Sequence, residues 1–237
     1  MKAKKFYQLV TADRSADIYI FGDITSWEWM ESDVSSYTLA RELQGLDVER
    51  INVYINSYGG EVAEATAIYN QLRNHKAVVR TVCDGFACSA ASVIFMAGDE
   101  RAMNKSSLLM IHNALWSASG NAADLRKAAD DLETINALSV KAYMDRVNIA
   151  EERLKELLDA ESWITPEDAL AMGFATEIID DDAGTAASQS AKAAVFQALT
   201  GESAEPPAKP PQPVSPPRPE EKNLSTFLSA LSRGGKE

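Results

Sequence analysis

The chain has 237 residues, of which 46% are hydrophobic, and its formal net charge is −12. This length suffices to bury one sizeable core, as one domain with a tail or as two domains. The acidic balance argues against nucleic acid as a partner, and no stretch reaches the ~20 apolar residues of a membrane span. Two cysteines and two histidines suggest neither a disulfide framework nor a structural zinc site. No apolar signal-peptide core follows the N-terminal lysines, so we expect a soluble, intracellular protein.

Strand-like and helix-like runs alternate along residues 1–182. The apolar runs typical of strands cover residues 17–21, 51–55, 78–82, 108–112 and 175–179. The helical patterns cover residues 62–72, 89–97 and 122–143. A further short helix is predicted from Thr165, the N-cap before Pro166, to Gly173. This alternation predicts an α/β domain with parallel strand pairing.

The composition changes near residue 182. Residues 1–182 hold 17 basic and 30 acidic side chains, a net charge of 17 − 30 = −13, whereas the remaining residues hold 6 and 5. Eight of the nine prolines lie between Pro206 and Pro219. Such a segment buries too little apolar surface to offset its ordering entropy. We therefore predict a folded domain over 1–182 and a disordered Ala/Pro-rich linker over 183–222.

A short amphipathic segment is predicted over residues 223–237. Its apolar side chains at helical spacing are Leu224, Phe227, Leu228 and Leu231. This stripe predicts either a docking helix on a flexible tether or a segment that folds back on the domain.

Ser89 and His112 are the first candidates for chemistry. Ser89 lies among small residues, where the predicted strand 78–82 turns at Gly85 and a buried helix begins. His112 ends an apolar run, whereas the other histidine, His75, lies in a polar stretch typical of a helix end. A serine hydroxyl needs a base to become a nucleophile, and these residues form a candidate couple. A capping serine and a core histidine remain the alternatives.

Two neighbouring features bear on this couple. Cys88 is either a competing nucleophile or a small buried hydrophobe. The turn that follows strand 51–55 contains Gly59 and Gly60, whose backbone freedom leaves amide groups uncovered for an oxyanion. An ordinary strand-to-helix turn and a phosphate loop are the alternatives, although no Lys-Ser/Thr pair follows.

These segments, taken in order, resemble the proteolytic subunit of the Clp protease. The matching motifs are Asn-Ser-Tyr-Gly-Gly at 56–60, Gly-Phe-Ala-Cys-Ser at 85–89, Met-Ile-His at 110–112 and the closing segment 163–174. The resemblance runs from about residue 17 to 179 and is strongest to the Clp-like head maturation proteases of tailed phages and prophages. It implies a crotonase-like ββα spiral in a single domain. It also implies stacked homo-oligomeric rings, often fed by an AAA+ unfoldase.

The resemblance also implies a set of site residues. Ser89 matches the family's nucleophile and His112 its general base. The amides of Gly59 and Ala90 match its oxyanion hole. Ala90 stands where the family often has Met, but only its backbone is needed.

Two departures from the family pattern concern Tyr58 and the third catalytic residue. Tyr58 replaces the proline of the usual Ser-Pro-Gly-Gly. The family's aspartate lies two residues before the aromatic that matches Trp163, and Glu161 occupies that position. Glutamate orients the histidine in other hydrolases, so Glu161 is favoured over the nearby Asp159.

The resemblance implies a serine endopeptidase that needs neither a metal nor an organic cofactor. Its expected substrates are polypeptides, including capsid or scaffold proteins, in the bacterial host cytoplasm or within a phage prohead. The alternatives are a general ATP-dependent Clp-type subunit, a catalytically vestigial scaffold protein and a crotonase-type acyl-CoA enzyme. The proline-rich tail also predicts self-cleavage between Ala183 and Pro206.

Overall fold

Eight strands and six helices alternate through residues 9–12, 14–30 and 32–179, which this computed structural model describes. The strands are β1 (Leu9–Ala12), β2 (Ser15–Ile20), β3 (Arg50–Ser57), β4 (Val78–Cys88), β5 (Glu100–Asn104), β6 (Leu108–Ile111), β7 (Ser162–Ile164) and β8 (Glu177–Ile179). The helices are α1 (Ser36–Leu43), α2 (Val62–Arg73), α3 (Ala90–Phe95), α4 (Ala122–Met144), α5 (Glu151–Asp159) and α6 (Pro166–Met172). The predicted linker and amphipathic segment lie outside the described residues.

The strands form one mixed sheet in the order β1-β2-β3-β4-β5-β8. All neighbours in this path are parallel except β1, which is antiparallel to β2. Strand β6 pairs parallel with the end of β4 and antiparallel with β7. The predicted α/β class with parallel pairing is therefore confirmed. No helix among the described residues is both long and apolar enough to cross a bilayer.

Strand β4 corrects one expectation, because the chain does not turn at Gly85. Strand β4 continues to Cys88, pairing with β5 along its first part and with β6 along its last three residues. Its register with β3 shifts between Ile55 and Ser57. A Cβ atom on Gly85 would lie 2.5 Å from Oδ1 of Asn56, which accepts a hydrogen bond from the Phe86 amide at 3.1 Å. Glycine therefore permits this close approach while the backbone stays extended.

The core lies between the sheet and the helices that follow its strands. Alternate residues of β3, Ile51, Val53 and Ile55, are fully buried, as are Ala65 and Ile68 on one face of α2. Burying an aliphatic side chain of this size contributes about 1.5–3 kcal/mol. Every residue of α3 is buried as well, including Ser92, as its largely apolar sequence predicts. The segment that begins with Ser89 is therefore anchored on a buried helix.

The sequence prediction omitted α5 and β7, the two elements that bring the closing segment to the site. Helix α5 is mostly exposed and buries three leucines, Leu154, Leu157 and Leu158. Glu161 follows with φ of 50°, and the chain reverses into β7 against β6. The predicted α6 is confirmed: Thr165 caps it by accepting from the Asp168 amide, and Gly173 ends it in the left-handed conformation.

Candidate active site

Ser89 lies at the junction of β4 and α3 in a strained backbone conformation. Its φ of 53° and ψ of −124° are rare for a residue with a side chain, and such strain costs about 1–3 kcal/mol. Its amide donates to the Met110 carbonyl at 2.8 Å, which fixes the turn to β6. Although Ser89 occupies the N-cap position, its hydroxyl makes no capping hydrogen bond. The turn therefore leaves the hydroxyl available for another partner.

That partner is His112. Its Nε2 lies 2.8 Å from the Ser89 hydroxyl oxygen, and both side chains are half-buried. The contact arises because β4 and β6 run parallel with Cys88 opposite Met110, so the residues that follow both strands meet at one sheet edge. This distance suits proton transfer from a serine to a general base. The structure thus brings together the two residues that the sequence singled out.

The second histidine has a different role. The Nδ1 atom of His75 accepts a hydrogen bond from the Ala77 amide at 3.0 Å, in the turn between α2 and β4. Burial lowers its pKa, which keeps the ring neutral and suited to this acceptor role. His75 therefore stabilises a helix end, as its polar sequence context indicates.

The glycine turn lies directly against the nucleophile. A Cβ atom on Gly59, which has φ of 106°, would lie 2.8 Å from Cβ of Ser89 and 3.1 Å from the Ala90 nitrogen. The Ala90 amide begins α3, where the first amides of a helix have no partner within it. The Gly59 amide donates to Oγ of Ser57 at 3.1 Å, and Ser57 in turn donates to the Gly22 carbonyl at 2.7 Å. Both residues predicted to supply oxyanion donors therefore lie beside Ser89, and the Gly59 amide already has a hydrogen-bond partner, Ser57, within its own turn.

Sequence reasoning missed a buried hydrogen-bond chain behind Ser89. The hydroxyl of Ser92 donates to the Ser89 carbonyl and lies 2.7 Å from the hydroxyl of Tyr143. Tyr143 is 2% exposed, and burial raises its pKa to about 12, so its hydroxyl stays neutral. Ser92, the one polar residue of the otherwise apolar helix α3, is the sequence signal that could have pointed to these hydrogen bonds.

The two candidate carboxylates occupy different positions. Asp159 is exposed and accepts a hydrogen bond from Nδ2 of Asn113 at 2.7 Å. Glu161 is exposed at the turn between α5 and β7. Neither carboxylate is hydrogen-bonded to His112 among the described residues. However, β6 and β7 pair Ile111 with Ser162, so His112 and Glu161 both lie next to the end of this ladder, where Glu161 leaves the extended conformation with φ of 50°.

A cavity of about 610 Å³ opens in front of the Ser89–His112 couple. Its walls come from the segment after β2, the glycine turn and the segment after His112, and they include Tyr58, Val62 and Leu115. No Lys or Arg is among the described residues that line it, which argues against the phosphate-loop alternative. Its size suits a short length of peptide or a small ligand.

The thiol of Cys88 is a poor competitor for the nucleophile's role. Cys88 is 1% exposed, and burial raises its pKa to about 11. Burial likewise raises the pKa of Cys83 to about 12. Because only the thiolate is strongly nucleophilic, both side chains are inert at neutral pH. Over the described ranges, no group of His, Cys, Asp and Glu side chains is arranged to hold a metal ion.

Comparison with known proteins agrees with this geometry. The family model described as Clp protease matches residues 6–182. An ATP-dependent Clp protease proteolytic subunit of Deinococcus radiodurans is 33% identical over 178 residues, covering 71% of this chain and 87% of that protein. Subunit 1 from a Synechococcus species is 32% identical over 158 residues, covering 65% and 80% of the two chains. Subunit 1 from Corynebacterium diphtheriae is 33% identical over 142 residues, covering 58% and 68%.

The matched range contains the glycine turn, Ser89 and His112, all of which lie in the cavity wall. The family resemblance and the serine peptidase activity expected from the sequence are thereby confirmed. The chain belongs to the Clp protease family of serine peptidases.

Proposed function

We propose that this protein cleaves peptide bonds with Ser89 as nucleophile and His112 as general base. The observation that carries the proposal is the 2.8 Å contact between the Ser89 hydroxyl and Nε2 of His112 at the mouth of the cavity. Ser89 attacks the scissile carbonyl while His112 accepts its proton. His112 then donates that proton to the leaving amine. Water repeats the two steps to release the acyl group and restore Ser89.

The amides of Gly59 and Ala90 would stabilise the tetrahedral oxyanion. Both lie against Ser89, where a carbonyl attacked by its hydroxyl would develop negative charge. The existing hydrogen bond from the Gly59 amide to Oγ of Ser57, at 3.1 Å, links two neutral groups. A charged oxyanion is the stronger acceptor, so the Gly59 amide would turn to it in the transition state.

Glu161 would supply the carboxylate that orients the His112 ring. Glu161 directly precedes Ser162, and His112 directly follows its partner Ile111, so a side-chain rotation would bring the carboxylate towards the ring. Asp159 is less suited because Asn113 already holds its carboxylate.

The direct test is hydrolysis of internally quenched peptides by the purified full chain. We expect wild-type protein to cleave them, and Ser89→Ala and His112→Ala to lose nearly all activity while the fold is retained by circular dichroism. Full activity in Ser89→Ala would contradict the proposal. The crotonase alternative predicts acyl-CoA turnover that survives Ser89→Ala. A scaffold with a vestigial site predicts no turnover in any form.

Two settings for this chemistry can be distinguished. The curated relatives are named as proteolytic subunits of ATP-dependent Clp proteases, which favours a homo-oligomeric ring that receives substrates from a Clp ATPase. The resemblance to head maturation proteases favours processing of capsid or scaffold proteins, within the host cytoplasm or a prohead. Degradation of casein that requires a Clp ATPase and ATP would support the first setting. Cleavage of a co-expressed phage capsid protein without an ATPase would support the second.

The predicted tail gives a further proposal, which rests on sequence alone. A proline-rich extension on a peptidase is a natural substrate for it, and cleavage between Ala183 and Pro206 is expected. Intact-mass measurement should show a shorter chain for the active protein than for Ser89→Ala, and equal masses would contradict self-cleavage. Truncation after Asp182 tests the docking role of residues 223–237, because loss of assembly with peptidase activity retained would support it.

A further inference from the structure

We infer that the catalytic cavity selects peptides with a basic side chain beside the scissile bond, through the carboxylate of Glu61. The inference rests on the proposed function, because it names the substrate class of the same site. Apart from His112, the charged side chains that line the cavity are both acidic, Asp23 and Glu61. A lysine or arginine side chain that enters the cavity would therefore meet complementary charge, and an acidic one would be repelled.

Glu61 is placed close to the bond that would be cut. It follows Gly59 by two residues, and Gly59 lies against Ser89. Its amide donates to the Ile24 carbonyl at 2.8 Å, which ties it to the adjacent segment of the cavity wall. An extended peptide advances about 3.3 Å per residue, so a side chain that meets Glu61 belongs to a residue within about two positions of the scissile bond.

The carboxylate of Glu61 is fixed in direction before any peptide binds. Its Oε1 accepts hydrogen bonds from Oγ1 of Thr25 at 3.0 Å and from Oγ and the amide of Ser26 at 3.1 and 3.3 Å. These hydrogen bonds, of which the one from Thr25 has the largest effect, lower the pKa of Glu61. The carboxyl group is therefore ionised at neutral pH. All three donors act on the same oxygen. A charge already held in place loses little side-chain entropy on binding, which favours recognition of a cation.

The other walls of the cavity suit the stem of a long cationic side chain. Val62 and Leu115, which are at least partly exposed, line it with apolar surface. Lysine and arginine bury their methylene stems on such surface while their charged ends reach a carboxylate. Because Glu61 is exposed, the expected preference is moderate, about fivefold at low salt, and it should weaken as salt increases.

The test uses matched internally quenched peptides in which one position is Lys, norleucine or Glu, scanned across the two residues on each side of the scissile bond. Norleucine keeps most of the aliphatic stem of lysine and lacks its charge. Cleavage sites are assigned by mass spectrometry, and kcat/KM is measured for wild type, Glu61→Gln, Glu61→Lys and Glu152→Gln. Glu152 is an exposed acid on α5 that does not line the cavity, so it controls for the change in net charge. Binding of the same peptides to Ser89→Ala is measured by fluorescence anisotropy.

We expect wild type and Glu152→Gln to favour Lys over norleucine about fivefold at one position. Glu61→Gln should bring that ratio close to one, and Glu61→Lys should favour the Glu peptide. A Lys-to-norleucine ratio of one in wild type, or an unchanged ratio in Glu61→Gln, would overturn the inference while leaving peptidase activity intact. If no peptide is cleaved, the proposed function fails instead. The same preference in binding to Ser89→Ala would then still support the inference, and equal binding of all peptides would overturn it.

Discussion

A Cβ atom placed on Gly59 would lie 2.8 Å from the Cβ atom of Ser89, so the glycine turn is in direct contact with the nucleophile. The same added atom would lie 2.7 Å from the Cys88 carbonyl oxygen, and Gly59 has φ of 106°. No side chain fits at position 59 unless the backbone of Gly59 or of the Cys88–Ser89 segment moves. The contact therefore fixes the Gly59 and Ala90 amides, the proposed oxyanion donors, relative to the Ser89 hydroxyl.

The first prediction concerns Gly59→Ala. The added methyl group should push the Gly59 amide and Ser89 apart and lower kcat/KM by about 10²-fold or more, the loss typical of a removed oxyanion donor. Gly45→Ala is the matched control, because a Cβ atom on Gly45 meets nothing within 4 Å. The test is to measure kcat/KM for peptide hydrolysis by both variants. Activity of Gly59→Ala within twofold of the Gly45→Ala control would contradict this role.

The second prediction concerns the chain from Tyr143 through Ser92 to the Ser89 carbonyl. Tyr143→Phe removes one buried hydroxyl and should lower kcat several-fold with little change in KM, because the strained turn at Ser89 loses support. Ser92→Ala should have a similar effect, and the double variant should cost less than the sum of the two. Tyr69→Phe, on a half-buried tyrosine of α2, controls for loss of a hydroxyl. Strictly additive effects on kcat would argue against a connected chain.

The third prediction separates Glu161 from Asp159. Glu161→Ala should lower kcat by about 10²-fold or more, because His112 would lose the carboxylate that orients its ring. Asp159→Ala should have a much smaller effect, through the loss of its hydrogen bond to Asn113. Steady-state kinetics of both variants, with thermal melting as a check on folding, distinguish them. The reverse order of effects would assign the third position to Asp159.

The fourth prediction concerns the buried thiols. Burial raises the pKa of Cys88 to about 11, so its thiol stays protonated well above neutral pH. Iodoacetamide at pH 7.5 should leave both cysteines of the native protein unmodified and peptidase activity unchanged. Denatured protein should be alkylated at both positions. Rapid inactivation of the native enzyme with modification confined to Cys88 would instead support Cys88 as the nucleophile.

The sequence was sufficient to predict the parallel α/β sheet and the pairing of Ser89 with His112. The sheet follows from apolar runs that alternate with helical patterns. The Ser89–His112 pair follows from a serine among small residues after one predicted strand and a histidine at the end of another. It did not predict that β4 continues through Gly85, because that depends on Asn56 approaching from a neighbouring strand. The Tyr143–Ser92 contact joins residues 51 positions apart, so the sequence shows an unusual serine in an apolar segment but not its partner. The proximity of Glu161 to the end of β6 depends in the same way on the pairing of β6 with β7.

The most direct test of the account is the mass of the adduct formed with a fluorophosphonate probe on the intact full-length protein. The probe reacts with a serine only when a neighbouring base activates its hydroxyl, which the 2.8 Å contact with His112 provides. We predict a single adduct, mapped by peptide mass spectrometry to Ser89, that is abolished in Ser89→Ala and slowed at least 100-fold in His112→Ala. Labelling of another residue, or labelling at Ser89 that His112→Ala leaves unchanged, would contradict the account.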